Sequence, residues 1–249
     1  MCAYRSVWPA LVGLLCAAVA RAELDPHLSD IGVRIDYGFH AEEYAVVEAA
    51  RLDLEQLTGP GIEISYFRAL AAWRLAQLAT ARGRSGGRVL AECLDSAEEA
   101  TRQNPASAEP WILVAACSIL GARTEPAKAL FHGRRFEQAV ARAHGLEPAN
   151  PRLALVDAWW AGDGSPRSAA GDAAASITAL ETALEAFRVR TAKTTFVEWG
   201  EAETCAWLGA LHLQRGDLRA ARDLIEQALL AAPGYAFALD LRHELQAAR

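Results

Sequence analysis

Four helix-ending signals stand at positions 105, 148, 191 and 233, at intervals of 43, 43 and 42 residues. Each closes the same apolar spacing. Cys93, Ala97 and Ala100 precede Pro105; Phe136, Val140 and Ala143 precede Pro148; Ala179, Ala183 and Ala186 precede Thr191; Ala221, Ile225 and Ala228 precede Pro233. One further step back reaches Ala50, Leu54 and Leu57 ahead of Gly59-Pro60-Gly61, a weaker copy. Steps of four and three place side chains on one stripe of a helix. A fixed period of this length means that one helical unit is repeated along the chain. Such a unit cannot bury its apolar face alone, so its neighbours must stack on it. Alanine fills 54 of the 249 positions and β-branched runs are few, so the expected class is all-α.

The unit is clearest over 202–235. Gly209 and Ala221 are small enough to let two antiparallel helices approach, Gly216 ends the first helix, and Asp217 caps the second. Leu218, Ala221, Ile225, Ala228 and Leu229 form one apolar stripe, and Pro233 stops it. Leu208-Gly209, His212, Ala221, Ile225 and Pro233 together resemble the tetratricopeptide repeat (TPR), a 34-residue helix–turn–helix unit. Cys205 stands where that family prefers Trp, and His212 where it prefers Tyr. Trp111, Val114 and Ala115 match the opening of the same pattern, with Ala in place of Gly. The resemblance implies a right-handed solenoid of about five antiparallel helix pairs and a C-terminal capping helix.

The clearest repeats are 108–148 and 202–235; degenerate ones are 24–60, 62–105 and 151–191, and the cap is 236–249. First helices are expected at about 62–81, 108–121 and 151–161. Breaker clusters at Arg82–Gly87, Gly121–Pro126 and Gly162–Pro166 lengthen the turns within pairs, and 191–200 lies between repeats.

The first 22 residues read as a secretory signal: Arg5, an apolar run of about 14 residues from Val7 to Ala20, and small residues at Ala20 and Ala22. The run is short of the roughly 20 residues a membrane span needs. Leu15 before Cys16 argues against a lipoprotein. Cleavage after Ala22 leaves a domain over 23–249 with no later span, placed beyond the inner membrane; a Gram-negative source makes that the periplasm. The mature chain would keep Cys93, Cys117 and Cys205. They read first as small residues at packed helix contacts; the other reading is one pair, Cys93 with Cys117, and a free thiol.

The residues suggest no chemistry. Histidines 27, 40, 132, 144, 212 and 243 show no zinc-protease or zinc-finger spacing, and no phosphate loop, nucleophile elbow or C-x-x-C occurs. Neither a metal nor a cofactor is expected, nor an enzyme. A mature net charge of −8, from 23 basic and 31 acidic residues, excludes broad nucleic-acid binding.

TPR resemblance implies a protein or peptide partner held on the concave face of the first helices. The inward residues would be Glu109, Ile112, Ala116 and Ile119, then Glu203, Ala206, Ala210 and Leu213: an apolar groove with an acidic rim. The alternative is a small-molecule or solute-transporter accessory protein, which needs a cavity. A basic cluster of Lys128, His132, Arg134, Arg135 and Arg142 is a second place for a partner, though a solvated helix start explains it as well. In the Trp159-Trp160 doublet, one indole cannot face the core strip that the other faces.

Overall fold

Asp25 opens the first helix by accepting a hydrogen bond from the His27 N–H at 2.8 Å, and Pro26 follows in a position where no amide donor is needed. The computed structural model describes residues 25–57, 59, 61–161, 173–189 and 199–248. The proposed signal segment, the Gly162–Gly171 insertion and Thr191 lie outside them.

Eleven α-helices follow one another among the described residues: α1 Pro26–His40, α2 Tyr44–Gln56, α3 Ile62–Ala81, α4 Gly87–Gln103, α5 Ala108–Thr124, α6 Ala129–Leu146, α7 Pro151–Ala161, α8 Ala173–Val189, α9 Glu201–Gln214, α10 Leu218–Ala231 and α11 Ala236–Ala247. A single 3-10 turn, Pro126–Lys128, leads into α6. No strand occurs among the described residues. Pro105, Pro148 and Pro233 each fall two residues beyond a helix, as the period requires.

The helices pack as α1 on α2, α3 on α4, α5 on α6, α7 on α8 and α9 on α10, with α11 covering the last pair. Successive first helices also meet, α1 on α3, α3 on α5 and α5 on α7. This is a TPR-like solenoid of five helix pairs and a cap. Its close approaches rest on small residues. A Cβ on Gly209 would come within 2.9 Å of Ile225 Cγ1, so only glycine lets α9 and α10 meet at that depth. Gly216, at φ +78°, ends α9, and Asp217 accepts from the Ala220 N–H at 3.3 Å to start α10.

Helices of the two layers differ in kind. α4, α6 and α10 bury one stripe and leave the other faces in water, whereas α3 and α5 are apolar around most of their circumference and buried there. Cys93 on α4 and Cys117 on α5 form a disulfide, so two of the three cysteines among the described residues cross-link successive pairs while also lying fully buried in the core. Cys205 is free and buried, and that burial pushes its thiol up to about 12.

Candidate functional site

The 43-residue period brings Tyr66, Glu109 and Arg152 to equivalent places near the starts of α3, α5 and α7. There they interact. Arg152 Nη1 donates to Glu109 Oε1 at 2.8 Å, and the Tyr66 hydroxyl donates to Glu109 Oε2 at 3.4 Å. Asn150, which caps α7 through its Oδ1 and the Arg152 N–H, donates from its amide to Glu109 Oε1 at 3.0 Å. The chain then closes on itself: Trp199 Nε1–H donates to the Tyr66 hydroxyl at 2.8 Å, while Arg152 Nε donates to the Trp199 carbonyl at 2.9 Å. Arg152 is fully buried and Glu109 nearly so, and each answers the charge of the other.

A second buried network lies beside the first. Glu203, in the first turn of α9, pairs through Oε1 with Arg74 of α3 and through Oε2 accepts the Gly200 N–H at 2.9 Å. Gly200 sits at φ +107°, and a Cβ there would meet Phe187 at 2.9 Å, so this turn into α9 needs glycine. Arg74 also donates to Gln77 at 3.2 Å and lies 3.7 Å from the centre of the Phe39 ring. His40, at the end of α1, stands between Asp36 Oδ2, 3.3 Å from its Nδ1, and Glu203 Oε2, 3.5 Å from its Nε2. Burial alone would lower the His40 pKa, but the two facing carboxylates prevail and raise it to about 9. For Glu203 burial alone would raise the value; the Arg74 charge and His40 hold it well below the ordinary carboxylate range.

These groups line a cavity of about 300 Å³, walled by Asp36, His40, Arg152, Phe187, Trp199 and the first turn of α9. Trp199 of this wall belongs to a cluster with Trp73, Trp159 and Trp207, with ring centres 5.0 to 6.3 Å apart between contacting pairs. Trp73, Ala116 and Trp159 share one repeat position, and the small Ala116 leaves room for the two indoles to meet.

The residues expected to line an open groove are therefore mostly interior. Glu109, Ile112, Ala116, Ile119, Glu203, Ala206 and Ala210 are all buried, and Leu213 is half-buried against the core. Ala116 and Ile119 border a cleft of about 40 Å³ with Trp73, Trp159 and Trp207, room for one or two waters and no peptide. The inner face is filled by the protein's own indoles and ion pairs.

The basic cluster divides. His132 is buried and bonds Glu125 at 3.0 Å through Nε2; Lys128 pairs with Glu125 at 3.2 Å; Arg135 pairs with Glu98 at 3.1 Å and lies over the Phe131 ring. Arg134 and Arg142 are exposed. Beside them Leu130 and Phe131 project into water at 73% and 56% exposure, more than any apolar residues nearby. The tryptophan doublet behaves as its spacing demands: Trp159 is buried, while Trp160 stacks on Phe136 and keeps 39% of its surface exposed.

Arg74 and Arg152 form no part of the sequence expectation, which holds His40 only as a histidine without metal-ligand spacing, Asn150 as a linker residue and Trp199 as a core residue. A signal for three of the interior residues was present. One column of the repeat holds Tyr66, Glu109 and Arg152, three hydrogen-bonding groups at a position where a stacked apolar core would ask for none.

The sequence matches no protein-family model and no curated protein. The structure is similar to a thermophilic TPR protein of Thermus thermophilus, with a TM-score of 0.51 and 15% identity over 89% of this chain and 98% of that one. The likeness establishes the fold.

Proposed function

We propose that this chain is an exported, non-enzymatic TPR scaffold that binds a protein partner on its outer surface, at the start of α6. The observation that carries the reading is the exposed set Leu130, Phe131 and Trp160 flanked by Arg134, Arg135 and Lys128. Aromatic and arginine side chains enriched together on a surface are what the centres of interfaces are made of. Beside them is a depression of about 220 Å³ bordered by Leu90, Leu94, Phe131, His132 and Arg135, with Asp95 and Glu125 also on its wall. A partner segment with an apolar anchor suits it. The filled inner face favours this outer location over the concave groove that TPR arrays commonly use.

Export rests on the N-terminal signal pattern, and the Cys93–Cys117 disulfide suits an oxidising compartment. Mass spectrometry of exported material is expected to find Glu23 at the N-terminus and the two cysteines joined; a retained Met1 in the membrane fraction would show an anchor instead. For binding, affinity capture with Phe131→Asp and Arg134→Glu is expected to lose a partner that the parent chain holds. Both sites are exposed, so melting temperatures should stay within a few degrees. Unaltered capture by both variants removes this surface from consideration.

The cavity of about 300 Å³ supports a second reading, a small-molecule accessory role, because it lies at the lower end of the size range of ligand sites. A thermal-shift screen separates the two. A ligand at a hundred times its dissociation constant adds about 2.7 kcal/mol of stability.

A further inference from the structure

We propose that Asp36, His40 and Glu203 form a binding site for a divalent transition metal, zinc by the nature of its donors, on the wall of the cavity between α1 and α9. Asp36 and His40 are one turn apart on α1 and so project from the same face. Glu203 reaches them from the first turn of α9. One donor atom of each residue lies within 4.8 Å of the other two. His40 Nε2 and Glu203 Oε2 are 3.5 Å apart. Two ligands bonded to one tetrahedral zinc at about 2.0–2.2 Å are separated by roughly 3.3–3.5 Å, so this pair already spans the edge of such a site.

Unmet bonding capacity points the same way. The buried Oδ1 of Asp36 has no hydrogen-bond partner among the described residues, and His40 Nε2, on a ring with 5% of its surface exposed, faces only the Glu203 carboxylate at 3.5 Å. Buried polar atoms are nearly always partnered, and a cation held between Glu203 and His40 Nε2 would also take up the unanswered Asp36 oxygen. Imidazole nitrogen with carboxylate oxygen is a donor set that zinc accepts, and thiolates are not required. Asp36 Oδ2 lies 3.3 Å from Nδ1, the ring nitrogen opposite the one that faces Glu203, so Asp36, with 27% of its side chain exposed, must swing from Nδ1 towards Nε2 to complete the set.

The surroundings are built to hold the ligands still. Arg74 and the Gly200 N–H fix the Glu203 carboxylate, and Arg74 takes Oε1, which leaves a lone pair of Oε2 directed at His40. The edge of Tyr235 lies against the His40 ring, with centres 4.6 Å apart. Such outer contacts orient ligands in metal sites. The Arg74 charge is answered by Glu203 and turned towards the Phe39 face, away from open water. Three protein donors leave the fourth position to water or to a ligand entering from the cavity.

The test is titration of the chelator-treated protein with zinc sulfate by calorimetry, and with cobalt(II) by visible absorption. Expected are one saturable site, a melting temperature several degrees higher with zinc, and the intense visible bands of four-coordinate cobalt. His40→Gln and Asp36→Asn should each weaken zinc binding tenfold or more with the helical circular dichroism retained. His144→Gln, which alters an exposed histidine, should leave it unchanged. Absence of saturable zinc binding in the parent chain overturns the site. So does full retention of binding and of the cobalt bands in Asp36→Asn, a partly exposed position whose replacement the fold tolerates even if His40→Gln does not fold.

Discussion

Tyr66 and Trp199 are 133 positions apart, yet the indole N–H of Trp199 donates to the Tyr66 hydroxyl at 2.8 Å. Tyr66 belongs to the second helix pair and Trp199 leads into the fifth. In an extended repeat array each unit touches only its neighbours. Here the array bends until non-neighbours meet, and Arg74 with Glu203 makes the same junction 129 positions apart. The junction is why the inner face is core and not surface.

A substitution on that face should therefore destabilise the protein. Ile119→Asp buries a carboxylate against Trp73 and Trp159, and even with Arg123 of the same cleft one turn away it should cost about 1–3 kcal/mol. Leu213→Asp, at a half-buried site, should cost clearly less. Denaturant midpoints of the two variants compare them directly; equal and small shifts would mean an open groove.

The Arg74–Glu203 pair is expected to be far more sensitive to breakage than to replacement. Glu203→Gln leaves a buried guanidinium without its counter-charge and should destabilise by about 3–5 kcal/mol. The double change Arg74→Met with Glu203→Leu removes both charges and should recover much of that loss. A double-mutant cycle on urea unfolding reads the coupling. Additive losses would show that the two charges do not depend on each other.

His40 makes stability depend on alkaline pH in the metal-free protein. Its folded-state pKa, about 9, lies above the unfolded value of 6.5. The stabilisation is then fully present below pH 6.5 and is lost as pH rises through 9, up to roughly 3 kcal/mol in all. Melting temperatures measured from about pH 6 to 10 should fall across that window in the parent chain and run flatter in His40→Gln. Glu203, held low, acts at the opposite end: its contribution is present above the ordinary carboxylate range and lost in acid.

Gly209 is the sharpest test of the helix register. A leucine there would collide with Ile225 Cγ1, which already stands 2.9 Å from where the first added carbon would be. Overpacking of this kind costs about 1–3 kcal/mol, and the loss should appear as early hydrogen exchange in α9 and α10. Unchanged protection in those helices would refute the assigned pairing.

Local order was written plainly in the chain. The terminators at 105, 148 and 233 mark real helix ends, and Gly216-Asp217 makes the predicted turn because αL backbone and a carboxylate cap are properties of two adjacent residues. The closure of the inner face was not, since nothing in the α5 sequence alone states that Ile112 meets another repeat instead of a partner. Its composition held a hint: a helix apolar on every side has no face to offer water. The pairing of Arg74 with Glu203 depends on the curvature accumulated over the intervening pairs, which no single repeat encodes. Cys93 and Cys117 could be paired or apart from spacing alone; only the docking of α4 on α5 decides it.

The contact between the second and fifth pairs also sets a limit on how such a chain can change in length. An open array gains or loses a unit with little effect on the rest, as a train does with its carriages. A ring of staves does not. Deleting the pair α5 and α6 would take Glu109 from Arg152 and carry Glu203 out of reach of Arg74, stranding two buried cations at once. Lineages of this protein should accordingly vary in the turns between helices while keeping five pairs, and a transplanted sixth should fail to fold where ordinary repeat arrays accept one.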